Sequence, residues 1–177
     1  MKKLTLALAA AMALSSAAYA QSSSATGTID FSGEVTTAAC SVTSDTINLF
    51  SHTTRELGAD GSGKWGTGNI HFYGCDLDPA SSGANTITSV SVEVSPGSAS
   101  EDSKVWKNLG TAKNVGVEIE MQGQPILPAG NVGTGIVAQL TDAGAKIEVA
   151  GRTTKVNGTD ATPGTVNAKV NFVATFK

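Results

Sequence analysis

The sequence predicts an all-β domain, an antiparallel sandwich of about seven short strands. Apolar and polar residues alternate with a period of two in several separate segments, which is the pattern of half-buried strands. The 177 residues include 20 Gly and 5 Pro, and this favours frequent turns over long helices. After the N-terminal leader, no segment combines a sustained helical period with capping residues. The length fits one domain, and an immunoglobulin-like sandwich is the leading candidate.

Residues 1–20 have the form of a secretory signal peptide. Lys2 and Lys3 precede a short apolar run, and Ala18-Tyr19-Ala20 places small residues at the two positions that a signal peptidase recognises. The apolar run is too short to anchor the chain in a bilayer, and no later segment is apolar for long enough. We therefore expect an exported mature chain that begins at Gln21 and has no transmembrane segment. Loss of the two lysines takes its net charge from −3 to −5.

The composition excludes several classes of function. With 40% hydrophobic and 15% charged residues, the chain is too apolar to be disordered. Only 5% of the residues are aromatic, which is few for a surface that stacks nucleic-acid bases. The mild excess of acidic residues also gives no electrostatic attraction to phosphates, so we expect no nucleic-acid partner.

Cys40 and Cys75 are the two cysteines of the chain. In an oxidising compartment an isolated pair is most simply a disulfide, and this spacing fits no metal cluster. In the chain-entropy model, a loop of this length is worth roughly 3 to 4 kcal/mol of stability.

The predicted strands follow one another along the chain and are separated by segments rich in Gly, Pro, Asn, Asp and Ser. Their alternating apolar faces, in chain order, are Ile29, Phe31, Gly33 and Val35; Ile70 and Phe72; Val90, Val92 and Val94; Val115, Val117, Ile119 and Met121; Ile136, Ala138 and Leu140; and Ile147 and Val149. Cys75 has the opposite parity to Phe72, so we expect a bend near Gly74.

The last predicted strand runs from Val166 to Phe176, one residue before the end of the sequence at Lys177. Its apolar face comprises Val166, Ala168, Val170, Phe172, Ala174 and Phe176. An apolar face at a sheet edge must be covered, because an open edge invites pairing with another chain. Another alternating segment begins the mature chain, so one strand-like segment stands at each end.

Both ends carry motifs that are specific in combination. The run Gly27-Thr-Ile-Asp-Phe-Ser-Gly-Glu-Val35 is followed by Ala38-Ala-Cys40-Ser-Val42. At the other end, Gly164 is the fourteenth residue from the C-terminus and Phe176 is the penultimate one. With the single cysteine pair and Asn114-Val-Gly-Val117, these features resemble the chaperone/usher pilins of the type 1 fimbrial family over nearly the whole mature chain. That family usually has Tyr at the penultimate position; Phe keeps the ring and lacks the hydroxyl.

The resemblance implies an incomplete immunoglobulin-like sandwich that lacks its last strand and is completed in trans by donor-strand complementation. Residues 21–36 would form the donor-strand extension, and residues 37–177 the pilin domain. The inserted face of the donor would be Ile29, Phe31, Gly33 and Val35. The acceptor groove and chaperone contact would comprise Gly164, Val166, Ala168, Val170, Phe172, Ala174, Phe176 and Lys177.

The same resemblance implies the partners of the chain. Neighbouring pilin subunits would form a head-to-tail homopolymer, after a periplasmic chaperone has covered the groove and bound the carboxylate of Lys177. An outer-membrane usher would then catalyse strand exchange. We expect a structural subunit, the major shaft pilin of a cell-surface fimbrium that supports adhesion. The alternative is a minor or tip-associated subunit, or a secreted carbohydrate-binding adhesin that uses Trp65 or Trp106.

Motifs for chemistry are weak throughout the chain. The segment from Gly58 to Lys64 matches most of a phosphate-binding loop, but Trp65 stands where Ser or Thr must reach the metal. We therefore interpret it as a flexible loop. His52 and His71 have no partners at metal-ligand spacing, and no nucleophile motif is present. The sequence thus predicts no enzyme activity, no catalytic residues, no cofactor and no metal.

Overall fold

The structure is a computed structural model that describes residues 27–35, 40–75, 77, 87–156 and 158–177. For residues 27–35, 59 and 60 it describes the main chain alone. The predicted signal peptide at 1–20, residues 21–26 and 36 of the predicted donor extension, and residues 37–39 of the predicted pilin domain lie outside this part.

The described chain forms eleven strands and one short helix. In chain order these are β1 (Gly27–Val35), β2 (Ser41–Ser44), β3 (Ile47–Leu49), α1 (Thr54–Asp60), β4 (Gly66–Tyr73), β5 (Ser89–Val94), β6 (Trp106–Lys107), β7 (Val115–Met121), β8 (Gln124–Pro125), β9 (Ile136–Gln139), β10 (Ala145–Lys155) and β11 (Ala168–Phe176). Every alternating segment that the sequence singles out lies wholly or largely in a strand, so the all-β prediction is confirmed.

Two sheets form the sandwich. The first has the strand order β3-β1-β11-β5-β9, and the second has the order β2-β4-β10-β7-β6, with β8 paired to β7. Apolar residues from both sheets form one buried cluster, which includes Val92 and Val170 from the first sheet and Ile70 and Ile147 from the second. Burial of each such side chain contributes about 1.5 to 3 kcal/mol relative to exposure.

The direction of β1 departs from the rest of the fold. It pairs parallel to β11 along one side and antiparallel to β3 along the other. All other pairs among the described strands are antiparallel. The prediction of an antiparallel sandwich is therefore wrong for one strand pair, that of the first strand with the last.

The helix α1 lies where the sequence predicts a loop. Thr53 caps it, because its hydroxyl accepts a hydrogen bond from the Glu56 N–H at 3.2 Å and its own N–H donates to the Glu56 carboxylate at 2.7 Å. The Thr53 N–H and the Thr53 hydroxyl both donate to the Glu56 carboxylate, and these two bonds hold the pKa of Glu56 below its usual range. Gly61 ends the helix with a left-handed φ of 73°, and Leu57 packs into the core. This reciprocal capping box satisfies backbone N–H groups at the start of the helix, which has only two turns.

Cys40 and Cys75 form a disulfide. The bend predicted before Cys75 is present, because Gly74 has a φ of 60°. The bridge links the residue before β2 to the segment after β4, and these two strands pair with Ser41 opposite Tyr73. The disulfide therefore fixes the position of Cys40, where the connection from β1 ends and β2 begins.

Replacing both cysteines, Cys40→Ser with Cys75→Ser, should lower the free energy of unfolding by roughly 3 to 4 kcal/mol, because the unfolded chain regains the entropy of a 35-residue loop. Urea denaturation monitored by far-ultraviolet circular dichroism measures this change. Reduced wild-type protein is the control and should match the variant. An unchanged midpoint would contradict a stabilising role for the bridge.

Candidate functional site

The most unusual feature of the fold is the apolar face of β11 and the strand beside it. Ala168, Val170, Phe172 and Ala174 are each 3% exposed or less, whereas the residues between them face solvent. On one side β11 pairs with β5, with Phe172 opposite Val94. On the other side only β1 separates it from β3.

The main chain of β1 fills the position between β11 and β3. Seven consecutive residue pairs join it to β11, and three pairs join it to β3. Directly opposite residues in paired strands belong to the same face of the sheet. The register sets the predicted donor residues opposite the buried β11 residues: Ile29 with Ala168, Phe31 with Val170, Gly33 with Phe172 and Val35 with Ala174.

This register joins two residue sets that the sequence predicts separately. The apolar positions of the donor segment lie directly opposite the apolar positions of the acceptor strand. A slip by one residue would set the polar positions of β1 opposite the buried face. The alternation at both ends of the chain therefore fits one groove.

The C-terminal end of this groove is fixed by an aromatic pair and by backbone hydrogen bonds. The rings of Phe176 and Phe72 meet edge to face with their centroids 6.0 Å apart. The carbonyl oxygen of Lys177 accepts hydrogen bonds from the N–H groups of Thr88 at 2.7 Å and Ser89 at 2.9 Å. The penultimate ring thus joins the two sheets without needing a hydroxyl group.

The start of β11 is held by a close backbone crossing at Gly164. A Cβ atom at this position would lie 2.4 Å from the Ala112 nitrogen and 2.8 Å from the carbonyl carbon of Thr111. Thr165 strengthens the crossing, because its N–H donates to the Thr111 hydroxyl at 2.9 Å and its carbonyl accepts from the Ala112 N–H at 3.1 Å. Glycine is required here because backbone atoms occupy the space of a side chain.

Asn108 supports the same crossing, a role that no sequence pattern predicts. Its side-chain oxygen accepts hydrogen bonds from the N–H groups of Gly110 at 2.8 Å and Asn167 at 2.9 Å. Its amide nitrogen donates to the Ala112 carbonyl at 2.9 Å. Asn in a turn segment is a general turn signal, but only the fold shows that these partners belong to two distant segments.

The tryptophans that could have marked a carbohydrate surface have different environments. Trp106 is 2% exposed, and its indole N–H donates to the Ile126 carbonyl at 2.7 Å. It is therefore a core residue, and the suggestion that it binds sugar is wrong. Trp65 is partly exposed and lies under the Arg152 guanidinium, 4.5 Å from the ring centroid, while Arg152 pairs with Glu118 at 2.6 Å.

The histidines take part in local structure. His52 accepts a hydrogen bond from the Lys64 N–H at 3.1 Å, and its ring fills the space beside Gly63. His71 lies 3.2 Å from both carboxylate oxygens of Asp45. Among the residues that the structure describes, no group of three His, Cys, Asp or Glu side chains is placed to hold a metal ion. No helix in that part of the chain is long and apolar enough to cross a membrane.

The comparisons with known proteins agree with this geometry. The model of the fimbrial protein family matches residues 29–177. Among solved structures, the P pilus rod subunit PapA matches with a TM-score of 0.63 and 21% identity, over 79% of this chain and 100% of that one. A chaperone-usher pilus, described for the molecular basis of rod uncoiling, matches with a TM-score of 0.61 and 20% identity, over 84% and 93% of the two chains. No curated protein sequence matches.

The immunoglobulin-like sandwich, incomplete without the strand beside β11, has the fold of the solved pilin structures. The chain belongs to the fimbrial protein family, and the resemblance to chaperone/usher pilins is confirmed. It is a structural protein and not an enzyme. Membership implies polymerisation with other pilins into a fimbrium at the cell surface.

The close crossing predicts that Gly164→Ala lowers the free energy of unfolding by about 1 to 3 kcal/mol, because the added methyl group overlaps backbone atoms. Gly58→Ala is the matched control. It lies in α1 with nothing within 4 Å of the added Cβ, so it should stabilise the fold by about 0.4 to 1 kcal/mol. Chemical denaturation of both variants measures the contrast, and equal effects would contradict the packing argument.

The pair of Asp45 and His71 predicts a pH dependence. The His71 hydrogen bond and the Asn69 N–H hold the pKa of Asp45 below its ordinary value of 3.8. A carboxylate with a lowered folded pKa adds stability above its unfolded pKa, and this is lost as pH falls through the folded value. Asp45→Asn should therefore flatten the fall of thermal midpoint below pH 3.8. Identical pH profiles of variant and wild type would contradict this assignment.

Proposed function

We propose that this protein is a major shaft pilin that polymerises head to tail by donor-strand exchange. Residues 26–35 of one subunit would replace the corresponding strand of the next, beside β11. The observation that carries this proposal is the register of β1, which sets the apolar alternate positions of the N-terminal segment opposite the buried face of the last strand.

The groove is suited to exchange because the strand that pairs with β11 can come from the same chain or from another chain. Domain swapping replaces an element by an identical element of a second copy at little cost. Backbone hydrogen bonds of an added strand supply affinity, and alternate side chains supply specificity. Burial of Ile29, Phe31 and Val35 would contribute on the order of 5 to 9 kcal/mol before the backbone hydrogen bonds. Gly33 would let the two backbones approach closely.

The assembly route would be determined by the apolar face that the groove exposes when no strand fills it. A subunit with an open apolar face would aggregate, so a periplasmic chaperone would cover it after export. The chaperone would bind the carboxylate of Lys177, and an outer-membrane usher would exchange the chaperone strand for the donor of the next subunit. A head-to-tail interface that does not close on itself produces a filament. The resulting fimbrium would support adhesion.

Deletion of Gln21 to Val35 should abolish polymerisation while leaving chaperone binding intact, because it removes the donor and keeps the acceptor. Negative-stain microscopy and co-purification with the chaperone measure the two properties. The truncated subunit should also accept a synthetic peptide of residues 26–35. Normal polymerisation of the truncated subunit would refute donor-strand exchange.

A pair of single substitutions refines the test. Phe31→Asp introduces a charge opposite buried Val170, whereas Ser32→Asp introduces one opposite exposed Asn171. A buried unpaired charge is strongly unfavourable, so the first variant should fail as a donor and the second should polymerise. Added to wild-type subunits, Phe31→Asp should still accept a donor and therefore shorten the fibres. Equal behaviour of the two variants would contradict the assigned face.

A further inference from the structure

The second sheet carries a cavity at the end of β4, beside the turn that precedes β10. It has a volume of about 500 Å³, which lies within the range of about 300 to 1,000 Å³ that is typical of small-molecule sites. Its lining includes Thr43, His71, Tyr73, Ala143, Gly144 and Lys146. The strand position beside β11 belongs to the first sheet, so strand exchange gives this cavity no role.

One wall of the cavity is an aromatic residue that its neighbours leave uncovered. The pairing of β4 with β10 sets Phe72 opposite Ala145, and Gly144 comes to lie beside Tyr73. Glycine is required there, because its φ is 93° and a Cβ atom would overlap the Phe72 carbonyl oxygen. The flanking residues are Ala143 and Ala145, so no side chain in this turn segment is larger than a methyl group. Tyr73 accordingly remains 48% exposed.

The opposite wall is a row of polar side chains across three strands. The register sets His71 of β4 between Thr43 of β2 and Lys146 of β10. Directly opposite residues lie on the same face of a sheet, and the row spans about 10 Å because neighbouring strands are about 5 Å apart. His71 Nε2 lies 3.2 Å from both carboxylate oxygens of Asp45, and this contact fixes the imidazole ring.

Lys146 supplies the positive charge of this row. In the described part of the chain, the ion pairs join Asp45 to His71, Glu118 to Arg152 and Asp160 to Lys155. The Asp45 carboxylate is thus engaged by His71, and Lys146 is exposed with no carboxylate partner among the described residues. An ammonium group at the rim of a cavity can therefore bind an anionic group of a ligand through a charge-assisted hydrogen bond.

We propose that this cavity binds an acidic saccharide, a sugar ring that bears a carboxylate. Such a ring has an apolar C–H face, which can pack on Tyr73, and hydroxyl groups at its edge, which can bond to Thr43 and His71. Lys146 would bind the carboxylate. This combination of an apolar wall with a few placed polar groups is the ordinary composition of a ligand site, and a neutral sugar would leave the charge of Lys146 unused.

Polymerisation would multiply this site along the fimbrium. Membership of the fimbrial protein family implies that the subunit polymerises with other pilins, so each copy would present one cavity. Linked sites that bind one surface together can raise the overall affinity by about 10² to 10⁴-fold without any new contact. A weak saccharide site in each subunit would therefore be enough for adhesion along the whole fibre.

Saturation-transfer-difference NMR with purified fibres as the receptor tests the ligand class. The probes are 3′-sialyllactose and a hyaluronan tetrasaccharide, which carry carboxylates, and lactose, which is neutral. We expect saturation of the acidic sugar rings of at least one carboxylate probe and none of lactose. Absence of transfer to both acidic probes, or equal transfer to lactose, would overturn the proposal.

Single substitutions assign the binding to this cavity. Lys146→Gln should raise the Kd of the acidic probe by about tenfold or more, because it removes a hydrogen bond between charged groups. Lys107→Gln is the matched control, since Lys107 is an exposed lysine on β6 at the far edge of the same sheet, and it should leave the Kd unchanged. Equal effects of the two variants would place the binding elsewhere and refute the assignment.

Tyr73 separates a stacking role from a role in folding. Tyr73→Phe keeps the ring and should bind the acidic probe with nearly the parent Kd, whereas Tyr73→Ala should weaken binding by about tenfold. Unfolding midpoints of both variants show whether the fold is intact, and weak binding by a well-folded Tyr73→Phe variant would contradict stacking on the ring. The same titrations on the full-length subunit before assembly keep this test independent of donor-strand exchange.

Discussion

The fold depends on the need to cover the inner face of its last strand. Val170, Phe172 and Ala174 belong to the single core that both sheets share, and β5 covers β11 along one edge only. The opposite edge needs a strand whose apolar residues recur with a period of two and in the right phase. The chain carries such a strand, β1, at its other end. The apolar positions of β1 lie opposite the buried residues of β11.

The disulfide gives this arrangement its direction. By fixing Cys40 beside the end of β4, it limits where the short connection from β1 can begin. The bridge therefore does more than restrict the unfolded chain. Within this chain the first strand runs parallel to β11. The close crossing at Gly164 holds the opposite end of β11, so this strand is fixed at both ends.

Much of the fold could be predicted because alternation directly reports a strand with one buried face. The faces of β5, β7 and β11 follow from it, and so does the bend at Gly74. Strand direction could not be predicted, because a period of two looks the same in parallel and antiparallel pairing. The helix α1 is too short to show a helical period, although Thr53 and Glu56 have the spacing of a capping box. The roles of Trp106 and Asn108 depend on backbone groups that lie far along the chain, at Ile126 and Asn167, and no local pattern reveals these partners.

The central claim of the proposed function is that residues 27–35 of a neighbouring subunit fill the strand position beside β11. A structure of the assembled fibre that traces the main chain tests this most directly. The account predicts residues 27–35 of a neighbouring subunit in the position beside β11. A fibre in which each subunit keeps its own residues 27–35 beside β11 would contradict the account.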